Sequence, residues 1–212
     1  ALEDGAELTA ERLMVAVGRA PRTDDLGLKE AGVDHGPRGI ATDGNHLTNL
    51  PGVWCAGDAT GRWQLAHAGS AQALAAVDRM FGTGERRVDP DAMPACIFTS
   101  PEVATVGPGE EEWRSRGVEV TTGTARYIAN GKALGMNRPT GFLKIISRRE
   151  DEVVVGVQIV GAGASSLVGE AVVMVSAGLR ASDVGRMVHP HPTLSELFME
   201  AGESFGHGAI HG

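Results

Sequence analysis

The 212 residues carry 27 acidic against 19 basic side chains, a formal net charge of −8, and no Lys/Arg run longer than the pairs Arg86-Arg87 and Arg148-Arg149. That balance argues against nucleic acid and acidic membrane surfaces as partners. The longest apolar region, residues 153–178, is interrupted by Gln158, Glu170 and several glycines and does not read as a membrane span. Glu3, Asp4 and Glu7 stand where a secretory leader would be basic and then apolar. Cys55 and Cys96, far apart in sequence, read as small apolar residues in a reducing compartment, so the expected location is cytoplasmic. The 30 glycines, about twice average usage, suit a loop-rich α/β protein, and the length allows one large or two small cores.

Along the chain, Leu13-Met14-Val15-Ala16-Val17 reads as a buried strand, broken by Gly18 and followed by a turn at Pro21. Gly52-Val53-Trp54-Cys55-Ala56-Gly57-Asp58 reads as a short apolar strand ending in an acid, and a loop and a helix from Gln64 to about Met80 come after it. An acid at the C-terminal end of a strand sits where α/β sheets bind ligands, and a helix N-terminus close by offers N–H groups to an anion. The equally simple reading is a turn Asp in an ordinary strand-loop-helix. Asp89-Pro90-Asp91 marks a linker. Beyond it, residues 95–99, 103–106, 126–129, 141–147 and 152–160 read as strands of an antiparallel sheet, followed by helices at about 165–177 and 193–205. Strands first and helices after indicate an α+β unit. Val172, Val173, Met174 and Val175 make the first of these helices apolar around much of its circumference, as in a core or a subunit contact.

Three patterns imitate functional motifs. Gly161-Ala162-Gly163-Ala164-Ser165-Ser166 nearly matches a dinucleotide fingerprint, but its third glycine is Ser and no acid-ended strand comes after it. It reads as a tight strand-to-helix turn capped by Ser165 or Ser166. Gly202-Glu203-Ser204-Phe205-Gly206 spells a nucleophile elbow, yet a helix precedes it and no acid succeeds it. His207 and His211 have a metal-like spacing in a glycine-rich tail without a third ligand, so no metal site is expected.

Near the C-terminus stands His189-Pro190-His191-Pro192-Thr193-Leu194-Ser195-Glu196. A helix beginning at Pro192 would put Glu196 about one turn in, able to fold back on His191, fix one tautomer and stabilise the imidazolium. The competing reading is an exposed His at a helix start whose first-turn Glu matches the helix dipole.

His-Pro-Thr with a Glu at this spacing resembles the C-terminal signature of the flavin-dependent pyridine nucleotide-disulfide oxidoreductases. The doubled His-x-His-Pro-Thr is most similar to the dihydrolipoamide dehydrogenase branch. The resemblance implies that His191 is the acid/base serving a dithiol substrate, that Glu196 orients it, and that His189 has no such role. It extends to the stretch ending at Asp58, where the carboxylate is expected to bond a ribityl hydroxyl of FAD, with the backbone of Gln64, Leu65, Ala66 and His67 facing the flavin. It extends also to Gly18, whose backbone is expected to touch the nicotinamide nucleotide.

The same resemblance implies a fold: the end of a Rossmann-like FAD/NAD(P)-binding region, α/β, then an α+β dimerisation domain. Residues 1–22 would end the NAD(P)-binding domain, 23–88 close the FAD domain, 93–205 form the interface domain and 206–212 the tail. The implied cofactors are FAD and NAD, with NADP open, and the implied partners are a second subunit and a small dithiol or lipoyl protein. Neither the two GxGxxG fingerprints nor the Cys-x4-Cys of intact members is present, so the chain is read as a C-terminal piece that is inactive alone. The absence of a terminal cysteine pair disfavours mercuric reductase and high-molecular-weight thioredoxin reductase. Glutathione- or mycothione-type reductases and a non-catalytic dimerisation module remain as alternatives.

Overall fold

The computed structural model describes residues 5–205 and divides into two compact units, Ala1–Arg87 and Val88–Gly212. In the first, α1 (Leu28–Ala31) precedes a minimal hairpin of β1 (His35–Gly36) and β2 (Gly39–Ile40), and α2 (Ala66–Phe81) is the one long element. Its apolar centre is Val33, Ile40 and Cys55.

Two expected strands are corrected here. Residues 13–17 pair with no described strand, and Leu13, Val15 and Val17 are 88%, 70% and 92% exposed. An apolar strand is buried only where neighbouring strands or helices cover it. The stretch before Asp58 likewise makes only a bridge from Trp54 to Leu47, and Gly57–Thr60 is a 3-10 turn.

The second unit contains β3 (Pro94–Ile97), β4 (Glu102–Val106), α3 (Glu110–Ser115), β5 (Val120–Arg126), α4 (Gly131–Gly135), β6 (Phe142–Arg148), β7 (Val154–Gly161), α5 (Ala164–Ala177), α6 (Ala181–Gly185) and α7 (Glu196–Glu203). Its five strands form one antiparallel sheet in the order β3-β4-β7-β6-β5. Helix α5 lies over β4 and β7, and α7 over β5 and β6. The two-residue alternation of a strand sends Leu143 and Ile145 to the helix-covered core with Val157, Ile159, Val168, Met174 and Phe198. Ile146 goes to the other face, with Val120, Val155 and Trp113 of α3. On that face Lys144 donates to Glu110 at 2.7 Å.

Two further expectations change. The strand expected at 126–129 is β5, ending at Arg126; residues 127–129 are a 3-10 turn in which Tyr127 is wholly buried and its hydroxyl donates to the Ala162 carbonyl at 3.0 Å. Neither Ser165 nor Ser166 caps α5. Gly163 takes the N-cap position at φ 73°, and the Ser165 amide donates to the Glu102 carboxylate at 2.9 Å. That bond holds the Glu102 carboxyl below the usual carboxylate range. Helix α5 turns Ala164, Val168, Ala171 and Met174 to the core and leaves Val173 60% exposed. Among the described residues no helix is long and apolar enough to cross a membrane.

Helices α6 and α7 approach closely at Gly185 and Gly202, where a Cβ on Gly202 would meet the Gly185 nitrogen at 2.4 Å. Gly123 of β5 admits α7 in the same way, since a Cβ there would lie 2.2 Å from the Ala201 carbonyl oxygen. These glycines set the seat of the helix that begins with Glu196.

Candidate active site

Residues 186–195 link α6 to α7 as a strap without helix or strand. Pro190 and Pro192 supply no N–H, so side chains must do much of the holding. The Thr193 hydroxyl donates to the Pro190 carbonyl at 2.7 Å, and the Asn130 side-chain amide donates to the Thr193 carbonyl at 3.0 Å. Pro192 does not start the helix as expected: it comes after a cis peptide bond from His191 and lies within the strap, and α7 begins at Glu196.

Glu196 joins the strap to its helix. One carboxylate oxygen accepts the Thr193 amide at 2.8 Å, and the other faces His191 Nδ1 at 2.8 Å. Placed in the first turn of α7, the carboxylate also lies at the favourable end of the helix dipole. An ionised carboxylate only accepts, so His191 Nδ1 carries the hydrogen and Nε2 of the neutral ring carries the lone pair. The carboxylate side chain is 16% exposed and the imidazole 76% exposed, so a fixed anchor holds an accessible base.

The pair lines a cleft of about 910 Å³ with Arg126, Ile128, Asn130, Leu197 and the buried Glu200. Sequence reading missed Arg126, Asn130 and Glu200; Asn130 is tied to the strap across 63 positions, beyond any spacing rule. Nor did it foresee that His189 would pair with a carboxylate of its own, Nε2 lying 2.8 Å from Glu170 of α5.

In the first unit, Asp58 sits on the 3-10 turn with its side chain 53% exposed. Gly57 is held from behind: its amide donates to the buried Gln72 at 2.6 Å, and it lies against Gly69 of α2. Leu65 is the N-cap of α2 without a side-chain cap, and Ala66 and His67 open the helix. Arg19, overlooked in the sequence, joins the two parts: one guanidinium nitrogen lies 3.4 Å from Asp58 and the other donates to the Gln64 carbonyl at 2.8 Å. The signal for it was a cation directly after Gly18. Gly18 itself is exposed at φ 104°, with open space around it.

An outward carboxylate beside a helix start with no side-chain cap fits a ligand presenting both hydroxyls and an anionic edge, as FAD does. Cys55 and Cys96 are free thiols, both pushed up by burial, which keeps them poor thiolates. His207 and His211 lie outside the described residues.

Residues 93–202 match the dimerisation domain of the pyridine nucleotide-disulphide oxidoreductases, and residues 1–73 match the preceding domain of the same group. The chain belongs to this family. Dihydrolipoyl dehydrogenase 3 of Haloarcula marismortui is 44% identical over 206 residues, covering 97% of this chain and 43% of that protein. The dihydrolipoyl dehydrogenase of Bacillus subtilis is 37% identical over 195 residues, 92% of this chain and 41% of the relative. The chain thus spans less than half the length of these relatives.

Among solved structures, LpdA of Mycobacterium tuberculosis superposes with a TM-score of 0.81 at 28% identity, over 87% of this chain and 40% of that one. A Cu(II) complex of the HOCl-induced flavoprotein disulfide reductase RclA of Escherichia coli gives 0.85 at 25% identity, over 95% and 46%. The architecture is therefore that of a flavoprotein disulfide reductase: the end of the nucleotide-binding α/β region followed by the α+β dimerisation domain.

Proposed function

We propose that these residues are the C-terminal part of a dihydrolipoamide dehydrogenase-type enzyme that passes electrons from a dithiol, through an enzyme disulfide and FAD, to NAD+. The observation that carries this reading is the 2.8 Å contact between His191 Nδ1 and Glu196. His191 Nε2 takes the proton of a substrate thiol, because only the thiolate attacks a disulfide efficiently. Glu196 holds the ring in the required tautomer and stabilises the imidazolium that forms. The exposed imidazole suits a base that serves a disulfide on a second subunit, so the working unit is a homodimer.

Asp58 would hold a ribityl hydroxyl of FAD, the backbone from Gln64 to His67 its flavin edge, and Gly18 the nicotinamide nucleotide. When bound, FAD supplies the two-electron carrier between sulfur and nicotinamide. Residues 1–22, 23–88 and 93–205 are assigned to the NAD(P), FAD and interface domains. The free thiols suit a reducing, cytoplasmic setting.

The test is steady-state turnover of the complete protein that carries this segment, with dihydrolipoamide as donor and NAD+ as acceptor, monitored by NADH formation. Turnover is expected, and the 212-residue chain alone is expected to be colourless and inactive. Reduction of glutathione disulfide or mycothione by NAD(P)H, with no dihydrolipoamide activity, would move the protein to another branch.

A further inference from the structure

The strap holds two histidines with opposite surroundings. His191 is exposed, with one nitrogen held by Glu196 and no described partner at the other. The His189 side chain is only 8% exposed, and both of its nitrogens are engaged: Nδ1 lies 3.1 Å from the Met187 carbonyl and Nε2 lies 2.8 Å from Glu170. A carboxylate only accepts, so the ring donates from Nε2 to Glu170. Held so, the ring can anchor.

The anchor comes from outside the strap. Glu170 stands midway along α5, which is packed on the sheet, and His189 ties the strap to it two residues before His191. Two residues after His191, Asn130 holds the other side. Its amide nitrogen donates to the Thr193 carbonyl, while its oxygen accepts the Ala133 amide at 3.0 Å and caps α4. Asn130 is 7% exposed, so water competes little for either bond.

We propose that His189, Glu170 and Asn130 are positioning residues for His191, fixing the segment that carries the base from both ends. This rests on the acid/base reading of His191. Misplacing a reacting group by about 1 Å can cost roughly 100-fold in rate, so a loosened strap should lower turnover without weakening substrate binding.

The test uses His189→Ala, Glu170→Ala, the double variant and His189→Gln in the complete protein, well below its melting temperature. Dithiol oxidation should lose roughly 10- to 100-fold in kcat in each alanine variant with KM for the dithiol little changed. NADH-driven reduction of a quinone dye, which does not use His191, should stay at the parent rate. The double variant should be no worse than either single variant, because both remove the same contact. His189→Gln, which can still donate to Glu170, should recover most of the activity.

A kcat within twofold of the parent in His189→Ala, or a parallel fall in the dithiol and quinone reactions, would overturn the proposal. A second readout is independent of turnover: ring nitrogen resonances in the 15N-histidine-labelled 212-residue chain. His191 should report a single tautomer, Nδ1–H, in the parent and a mixture of both in Glu170→Ala. An unchanged tautomer would overturn the positioning role. If the parent oxidised no dithiol, the functional reading would fall while this resonance still decided the positioning.

Discussion

The two units put similar apolar sequence to different ends. In the second, the alternation along β6 and β7 becomes a filled interior, with Leu143, Ile145, Val157 and Ile159 wholly buried under α5 and α7. In the first, the continuous apolar run from Leu13 to Val17 stays exposed, while the buried cluster is Val33, Ile40 and Cys55. A strand-like pattern states a capacity for pairing. Only a partner strand or helix turns it into stability.

The broadest way to break this comparison is to separate the units. Residues 88–205 alone should unfold in one cooperative denaturant transition, and residues 1–87 alone should show none, by circular dichroism and amide exchange. A cooperative transition in the first unit would mean that its small core suffices.

Core truncation sharpens the contrast. Ile145→Ala should lose about 2–5 kcal/mol in chemical denaturation, while Ile40→Ala, in a cluster with little around it to hold a cavity open, should fall at or below about 2 kcal/mol. Gly202→Ala should lose about 1–3 kcal/mol, since its Cβ must displace the backbone of α6 at Gly185.

The smallest effect is expected at Tyr127. Burial pushes its phenol from 10.0 up to about 12. A folded value above the unfolded one means that the folded state keeps its proton longer. That contribution to stability is complete below about pH 10 and is lost as pH rises towards about 12. Tyr127→Phe should remove this alkaline loss and sacrifice only the bond to Ala162, about 1 kcal/mol at neutral pH.

How much was legible in the sequence depends on the range of the physics involved. Strands β3, β4, β6 and β7 and helix α5 show in the sequence because their apolar spacing is local. Strand β5 was misplaced because Gly123 and Ala125 fill its inner face where larger residues would have signalled it, and α3, α4 and α6 are too short to display a helical period. The contact of His191 with Glu196 was readable, since five residues separate them. Arg19 with Gln64, His189 with Glu170 and Asn130 with Thr193 join positions 45, 19 and 63 apart, and only the folded chain brings them together. The start of α7 was misjudged because Pro192 suits a first helical turn in sequence terms, while Glu196 marks the actual start.

The central claim is that Glu196 holds His191 as the base for a thiol. Its most direct test is rapid-mixing measurement of flavin reduction by dihydrolipoamide in the His191→Gln variant of the complete protein. The account predicts a loss of roughly 100- to 10,000-fold in that half-reaction, the usual worth of a general base, with flavin content and NADH-driven flavin reduction unchanged. Flavin reduction by the dithiol at the parent rate would contradict it.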